Sequence, residues 1–188
     1  MSHDPAGGVR VIRIVDHDPA WPQRFREVAG PLRAALGDVA LRIDHIGSTS
    51  VPGLAAKPVI DLQISVARLA PDEPFRVPLQ SLGHVFRDKN PERTKRYFRE
   101  PPGQPRTHIH VRMAGSFSEQ FPLLFRDYLR VHPQAAEEYA AVKRDLAARH
   151  PHDGLAYTNA KAGFSWALIR RADDWAQETG WSPGPSDA

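Results

Sequence analysis

Two stretches of this 188-residue chain hold side chains able to grip a metal ion. In the run from Val59 to Val66 a single carboxylate, Asp61, stands among aliphatic residues. Side chains alternate along a strand, so Ile60, Leu62, Ile64 and Val66 share one face while Val59, Asp61, Gln63 and Ser65 share the other. A carboxylate in such a strand must be paired, protonated, metal-bound or turned to water. It can ligate a divalent cation that bridges to phosphate, or it can form an ion pair with Lys57. The same alternation puts His108 and His110 on one face of the run Arg106 to Met113. Beside Asp61, the two imidazoles would complete a set that suits zinc, manganese or ferrous iron better than magnesium. Apart from Asp61 they would be solvent-facing strand histidines. His110 has a further use as a general base, since its unperturbed pKa is about 6.5.

A third stretch is suited to anions. Gly47, Ser48, Thr49 and Ser50 form a small turn whose backbone N–H groups and hydroxyls can be offered to a phosphate. It is not a Walker loop, because the Gly-x4-Gly-Lys-Ser/Thr spacing is absent. Lys57 can reach an anion or neutralise Asp61, and His45 is either a core histidine or a ligand. Tyr157 and Lys161 lie four residues apart on one helix face, where Lys161 either packs its stem on the ring or reaches a phosphate. Lys95, Arg96 and Arg99 make a basic strand edge, a common guard against aggregation that also suits a triphosphate.

Composition narrows the setting. Forty-one per cent hydrophobic and 25% charged residues are ordinary globular values, and the length fits one domain. With no cysteine, disulfides, thiolate zinc sites and cysteine nucleophiles are excluded. A formal charge of +3 suits phosphorylated small molecules, but no basic-aromatic stripe argues for nucleic acid. No apolar run approaches membrane-spanning length and no signal core opens the chain, so the expected location is cytoplasmic.

The elements that must carry these residues can be read in outline. Residues 1–8 and 181–188 read as tails, and 9–180 as one domain with a sheet-bearing half (9–115) and a helical part (116–180). Strands are expected at 9–15, 39–46, 59–66, 84–87, 95–100 and 106–113. Helices are expected at 18–36, 117–131, 133–150 and 157–178. Residues 71–82 are a poor helix, interrupted by Pro74 and Pro78. Phe121, Phe125, Tyr128, Trp166 and Trp175 read as interhelical core. Consecutive strands without helices between them argue for an α+β fold and against a doubly wound Rossmann sheet.

The run His45 to Asp61, HIGSTSVPGLAAKPVID, resembles the signature of the GrpB family, a group within the DNA polymerase β-like nucleotidyltransferase superfamily. Thr107 to Val111, the run FRDYLRVHP from Phe125, and Tyr157 with Lys161 extend the likeness over about Val11 to Trp175. The resemblance implies a nucleotidyltransferase-like mixed sheet with a C-terminal helical cap. It also implies a divalent cation (magnesium or manganese, with zinc or iron as alternatives) on Asp61, His108 and His110. Phosphates would lie at Gly47, Ser48, Thr49, Ser50, Lys57 and Lys161, and the partner would be a nucleotide or another phosphorylated small molecule. Some GrpB domains are fused to dephospho-coenzyme A kinase, a hint of a coenzyme context. The superfamily pattern has a second carboxylate two residues after the first, and Gln63 stands there. The expected activity is metal-assisted nucleotidyl transfer. A nucleotide-binding module without turnover and a two-histidine, one-carboxylate metal hydrolase are the alternatives.

Overall fold

The computed structural model describes residues 11–188. The tail expected at 1–8 lies outside the described residues. A five-stranded mixed sheet is built from β1 (Arg42–Ile46), β2 (Ile60–Val66), β3 (Val85–Phe86), β4 (Lys95–Arg99) and β5 (Thr107–Met113), in the order β1-β2-β5-β4-β3. β2 and β5 run parallel, and the other neighbours are antiparallel. The helices are α1 (Trp21–Leu36), α2 (Glu73–Ser81), α3 (Phe117–Val131), α4 (Pro133–Arg149) and α5 (Gly154–Thr179).

Strand alternation gives this sheet two unlike faces. On one, Ile43, Ile60, Leu62, Ile64, Ile109, Val111 and Phe98 are buried against α1 and α2. Trp21, Phe25, Ala29, Leu32 and Leu36 recur at helical spacing on α1 and supply the facing stripe, with Phe75 and Leu79 from α2. Pro78 does not abolish α2. Its missing N–H costs only the bond to the Pro74 carbonyl, and Phe75 and Leu79 anchor the helix on the sheet. The other face is polar. Register sets Asp44 beside Gln63, Asp61 beside His108, Gln63 beside His110, and Tyr97 beside His110.

Helix α3 crosses the polar face. Its start is fixed by Ser116, whose hydroxyl accepts from Glu119 N, while the Glu119 carboxylate accepts from Gly115 N at 2.6 Å. Arg126, on the buried side of α3, donates to the His45 carbonyl at 3.1 Å and to Asp187 at 2.9 Å, and lies 3.8 Å from the buried Asp44. Behind α3, the helices α4 and α5 close a second core around Tyr128, Leu129, Ala135, Tyr139 and Leu168. Val51, Leu54 and Ala55 extend that core from the loop between β1 and β2. The Gly47–Ser50 turn is thus held between the sheet and the helical part.

Two expected segments take other roles. In the stretch read as a strand at 9–15, the described residues make one isolated bridge, Val15 with Ala56, and Ile12 N donates to the Pro151 carbonyl. These bonds tie the segment to a loop and a helix end, away from the main ladder. The segment read as a tail at 181–188 packs along the open edge of β1 instead. Ile43 N donates to the Ser186 hydroxyl, His45 N to the Asp187 carboxylate, and Ala188 N to the Ile43 carbonyl. Polar side chains thereby satisfy edge groups that a sixth strand would otherwise pair.

The Arg126 guanidinium is the shared partner of Asp44, Asp187 and the β1 backbone. Arg126→Ala strands the buried Asp44 with Arg42 as its remaining ion-pair partner. The expected loss, chiefly of the bonds to the His45 carbonyl and Asp187, is about 1–3 kcal/mol of stability, read as a lower urea midpoint.

Candidate functional site

Asp61, His108 and His110 meet on the polar face. The sequence alternation put each on its face, and the parallel β2–β5 register brings the two faces edge to edge. His108 Nδ1 lies 2.9 Å from Asp61 Oδ1, and His110 Nε2 lies 3.5 Å from the same oxygen. One ligand atom from each residue falls within 4.8 Å of the others. Burial alone would push the Asp61 carboxyl up, but the bonds to the two imidazoles outweigh it and hold the group well below the carboxylate range. Burial also holds the His110 imidazole down at about 4, against the pull of Asp61, so at neutral pH it is uncharged. Tyr97 packs on both rings, its centroid 5.2 Å from His110 and 5.7 Å from His108.

The second oxygen of Asp61 faces the Gly47 turn. Gly47 sits at φ 72°, and a Cβ there would fall 2.8 Å from Asp61 Oδ2. Only glycine lets the carboxylate approach the backbone this closely. The hydroxyls of the turn divide their work. Thr49 bonds His45 Nε2 at 3.0 Å and donates to the Val59 carbonyl, and Ser50 donates to the Gly47 carbonyl. Both shape the turn. His45 is a core histidine: its ring stacks on Phe25 at 4.8 Å and burial pushes its pKa down to about 4. Ser48 instead accepts a bond from Lys143 Nζ at 2.9 Å.

Lys143 is the residue that the sequence reading missed. It lies four residues beyond Tyr139 on the buried side of α4, is 3% exposed, and also donates to the Ala55 carbonyl. The signal was present, since Tyr139, Val142 and Leu146 mark that side of the helix as core and a lysine interrupts it. Its amine lies 4.5 Å from the Tyr139 ring centroid, and Lys161 donates to the Tyr139 hydroxyl at 3.1 Å. Lys57 sits 3.7 Å over the Tyr157 ring. None of the three amines forms an ion pair with a carboxylate among the described residues, so the alternative of a Lys57–Asp61 pair is not the one the fold adopts. Burial, then the neighbouring Lys161, pushes Lys143 down to about 7 and Lys57 down to about 8.

Gln63 is taken up elsewhere. It is fully buried, its oxygen accepts from Arg112 at 2.7 Å, and its amide nitrogen donates to the Glu119 carbonyl at 3.1 Å. The basic edge of β4 is paired with acids, Lys95 with Glu92, Arg99 with Glu100 and, at 4.0 Å, Arg96 with Asp72. Of the aromatic residues read as interhelical core, Tyr128 is buried and Phe125 and Trp175 pack against it, whereas Trp166 is half exposed and touches Phe121.

Two outcomes follow from this geometry. Gly47→Ala forces both a strained backbone and displacement of Asp61, and a loss of about 1–3 kcal/mol is expected in urea denaturation. The Lys143 amine binds its proton less tightly in the fold than in the unfolded chain. Between about pH 7 and the unfolded value of 10.5 the unfolded state therefore holds more protons, and stability rises with pH across that window. In Lys143→Met the rise is expected to shrink in denaturation curves measured at successive pH values.

The chain's relatives agree with this architecture. The model of the family described as "GrpB protein" matches residues 11–171. A dephospho-CoA kinase of Mycolicibacterium paratuberculosis is 38% identical over 198 residues, covering 92% of this chain and 48% of that protein. A UPF0157 protein of Pseudomonas aeruginosa is 42% identical over 164 residues, covering 86% of this chain and 67% of the relative. The chain thus spans about half the length of the dephospho-CoA kinase it matches. Among solved structures, a conserved GrpB protein from Enterococcus faecalis superposes with a TM-score of 0.79 at 31% identity, over 87% of this chain and 99% of that one. The Cid1 poly(U) polymerase shares the fold at 13% identity, with a TM-score of 0.51 over 72% of this chain and 45% of its own. The α+β expectation and its nucleotidyltransferase-like sheet hold, and the chain belongs to the GrpB family.

Proposed function

We propose that the chain binds a nucleotide or a related phosphorylated small molecule and carries out metal-assisted nucleotidyl transfer. The observation that carries this reading is the buried Lys143 amine, bonded to Ser48 of a turn whose glycine abuts Asp61, close enough to Lys161 to feel its charge and without a carboxylate partner among the described residues. Burying an ammonium without a counter-charge is costly, and an anionic ligand supplies the missing charge.

In this reading Gly47 and Ser48 receive a phosphate through backbone N–H and hydroxyl groups, and Lys57, Lys143 and Lys161 neutralise its oxygens. Thr49 and Ser50 keep the turn in shape. Asp61, His108 and His110 hold one divalent cation, which supplies positive charge to phosphate oxygens at the reacting centre. Little covalent chemistry is asked of the protein, whose share is positioning and charge neutralisation. A phosphate approaching Lys143 raises its affinity for a proton, so binding above pH 7 draws protons from solvent. The dephospho-CoA kinase name of several relatives makes dephospho-coenzyme A a reasonable ligand to include beside the four nucleoside triphosphates.

A binding module without turnover is the second reading, favoured by the neutral Gln63 that Arg112 and the Glu119 carbonyl hold in place. Calorimetric titration of the intact chain with each nucleotide and with dephospho-coenzyme A separates the possibilities. At least one of these ligands is expected to bind, with Lys143→Met and Lys161→Met each weakening it by about tenfold or more. Release of pyrophosphate from the bound triphosphate supports transfer, whereas binding without release supports the module. Absence of binding by every ligand overturns both.

A further inference from the structure

We infer that the Asp61–His108–His110 cluster is built for a single transition-metal ion of the zinc class, and that it does not hold a pair of magnesium ions. The inference rests on reading this cluster as a metal site and specifies which ion that site takes.

Magnesium is a hard cation that favours oxygen ligands and keeps several waters, whereas imidazole nitrogen favours zinc and its first-row neighbours. Here two of the three converging groups are imidazoles, and the third is the one carboxylate in the cluster. Two nitrogens and one carboxylate oxygen make the three-ligand set that leaves a catalytic zinc ion an open position. The ligands are also braced. Tyr97 packs on both imidazoles, and the parallel register fixes their strand positions beside Asp61 and Gln63. The direct bonds from the imidazoles to Asp61 are those an ion would replace.

The argument against a second ion lies two residues along β2. A two-metal site needs negative oxygens enough to hold two dications about 3.5–4 Å apart. At that position stands Gln63, and both ends of its amide are already bonded. The donor to its oxygen is the guanidinium of Arg112, itself 8% exposed. A positive charge thus stands behind the place where another acidic ligand would be needed. Asp61 Oδ2 turns the other way, toward the Gly47 backbone. Restoring a carboxylate by Gln63→Glu would give Arg112 an ion-pair partner before it gave a metal a ligand.

The test uses the intact chain stripped of metal with a chelator, then titrated separately by calorimetry with zinc, manganese, cobalt(II) and magnesium chlorides. One equivalent of zinc is expected to bind at least about a hundredfold tighter than magnesium. Cobalt(II) should give visible absorption bands of a nitrogen-ligated ion, and these should weaken in His108→Ala. His110→Asp exchanges a nitrogen for an oxygen and should narrow the gap between zinc and magnesium. Gln63→Glu should leave the stoichiometry at one. Magnesium binding as tightly as zinc, or two equivalents of any ion, overturns the inference and leaves the metal-site reading standing. Failure of all four ions to bind the unsubstituted chain overturns the inference and the metal half of the proposed function together, while the nucleotide titrations still judge the phosphate half.

Discussion

The parallel pairing of β2 with β5 is the constraint on which the molecule depends. Asp61 and His108 are 47 positions apart in the chain, yet the register sets them side by side. Because strand side chains alternate with a period of two, a slip of one residue would send His108 and His110 to the apolar face and bring Thr107 and Ile109 beside the carboxylate. That slip is opposed across the whole sheet. Ile109 and Val111 would then surrender their places against α1 and α2. The hydrophobic face fixes the chemistry of the polar one.

A polar sheet face under a helix raises its own difficulty, because buried donors and acceptors must find partners. The fold answers with a chain of bonds around α3. Gln63 is joined to the Glu119 carbonyl and to Arg112, and Arg126 is joined to the His45 carbonyl, Asp187 and, at longer range, Asp44. The His45 ring in turn meets Thr49, which bonds the Val59 carbonyl. These links run from the edge of β1 to the turn beside Asp61, so groups far from the cluster help to hold its shape. The segment 184–188 belongs to the same system, since Asp187 partners both Arg126 and the β1 backbone.

Much of this was legible in the sequence, for local reasons. Alternation in VIDLQISV and THIHVRM assigns Asp61 and the two histidines to polar faces without any knowledge of neighbours. Helical spacing likewise places α1, α3 and α4 within a few residues of their observed ends. What escaped depends on contacts across the chain. Which strand lies beside β2 cannot be read from either strand alone. The segment 181–188 looks like a tail by composition, and it is the bare edge of β1, with Arg126 beside it, that gives Ser186 and Asp187 something to bond. Of the strand expected at 9–15, the described residues 11–15 form only the Val15–Ala56 bridge, because no strand of the sheet lies beside them. α2 survives two prolines because Phe75 and Leu79 bury themselves on the sheet, a tertiary gain that local propensity does not contain.

Lys143 shows where sequence and structure must be read together. As one letter in a helix stripe it looks like a long stem packed on Tyr139, and that packing is real. The structure adds that its amine is buried, has no carboxylate partner among the described residues, and points to the one hydroxyl of the Gly47–Ser50 turn that is not spent on the turn itself. Helix packing alone does not require this arrangement, because leucine or methionine at the same position would fill the space without a desolvated charge. Its neighbours Lys57 and Lys161 repeat the pattern on Tyr157 and Tyr139. Burial first, and then repulsion by Lys161, lowers the proton affinity of both Lys57 and Lys143. In the proposed reading a negative ligand would offset both the burial and the repulsion in the same step.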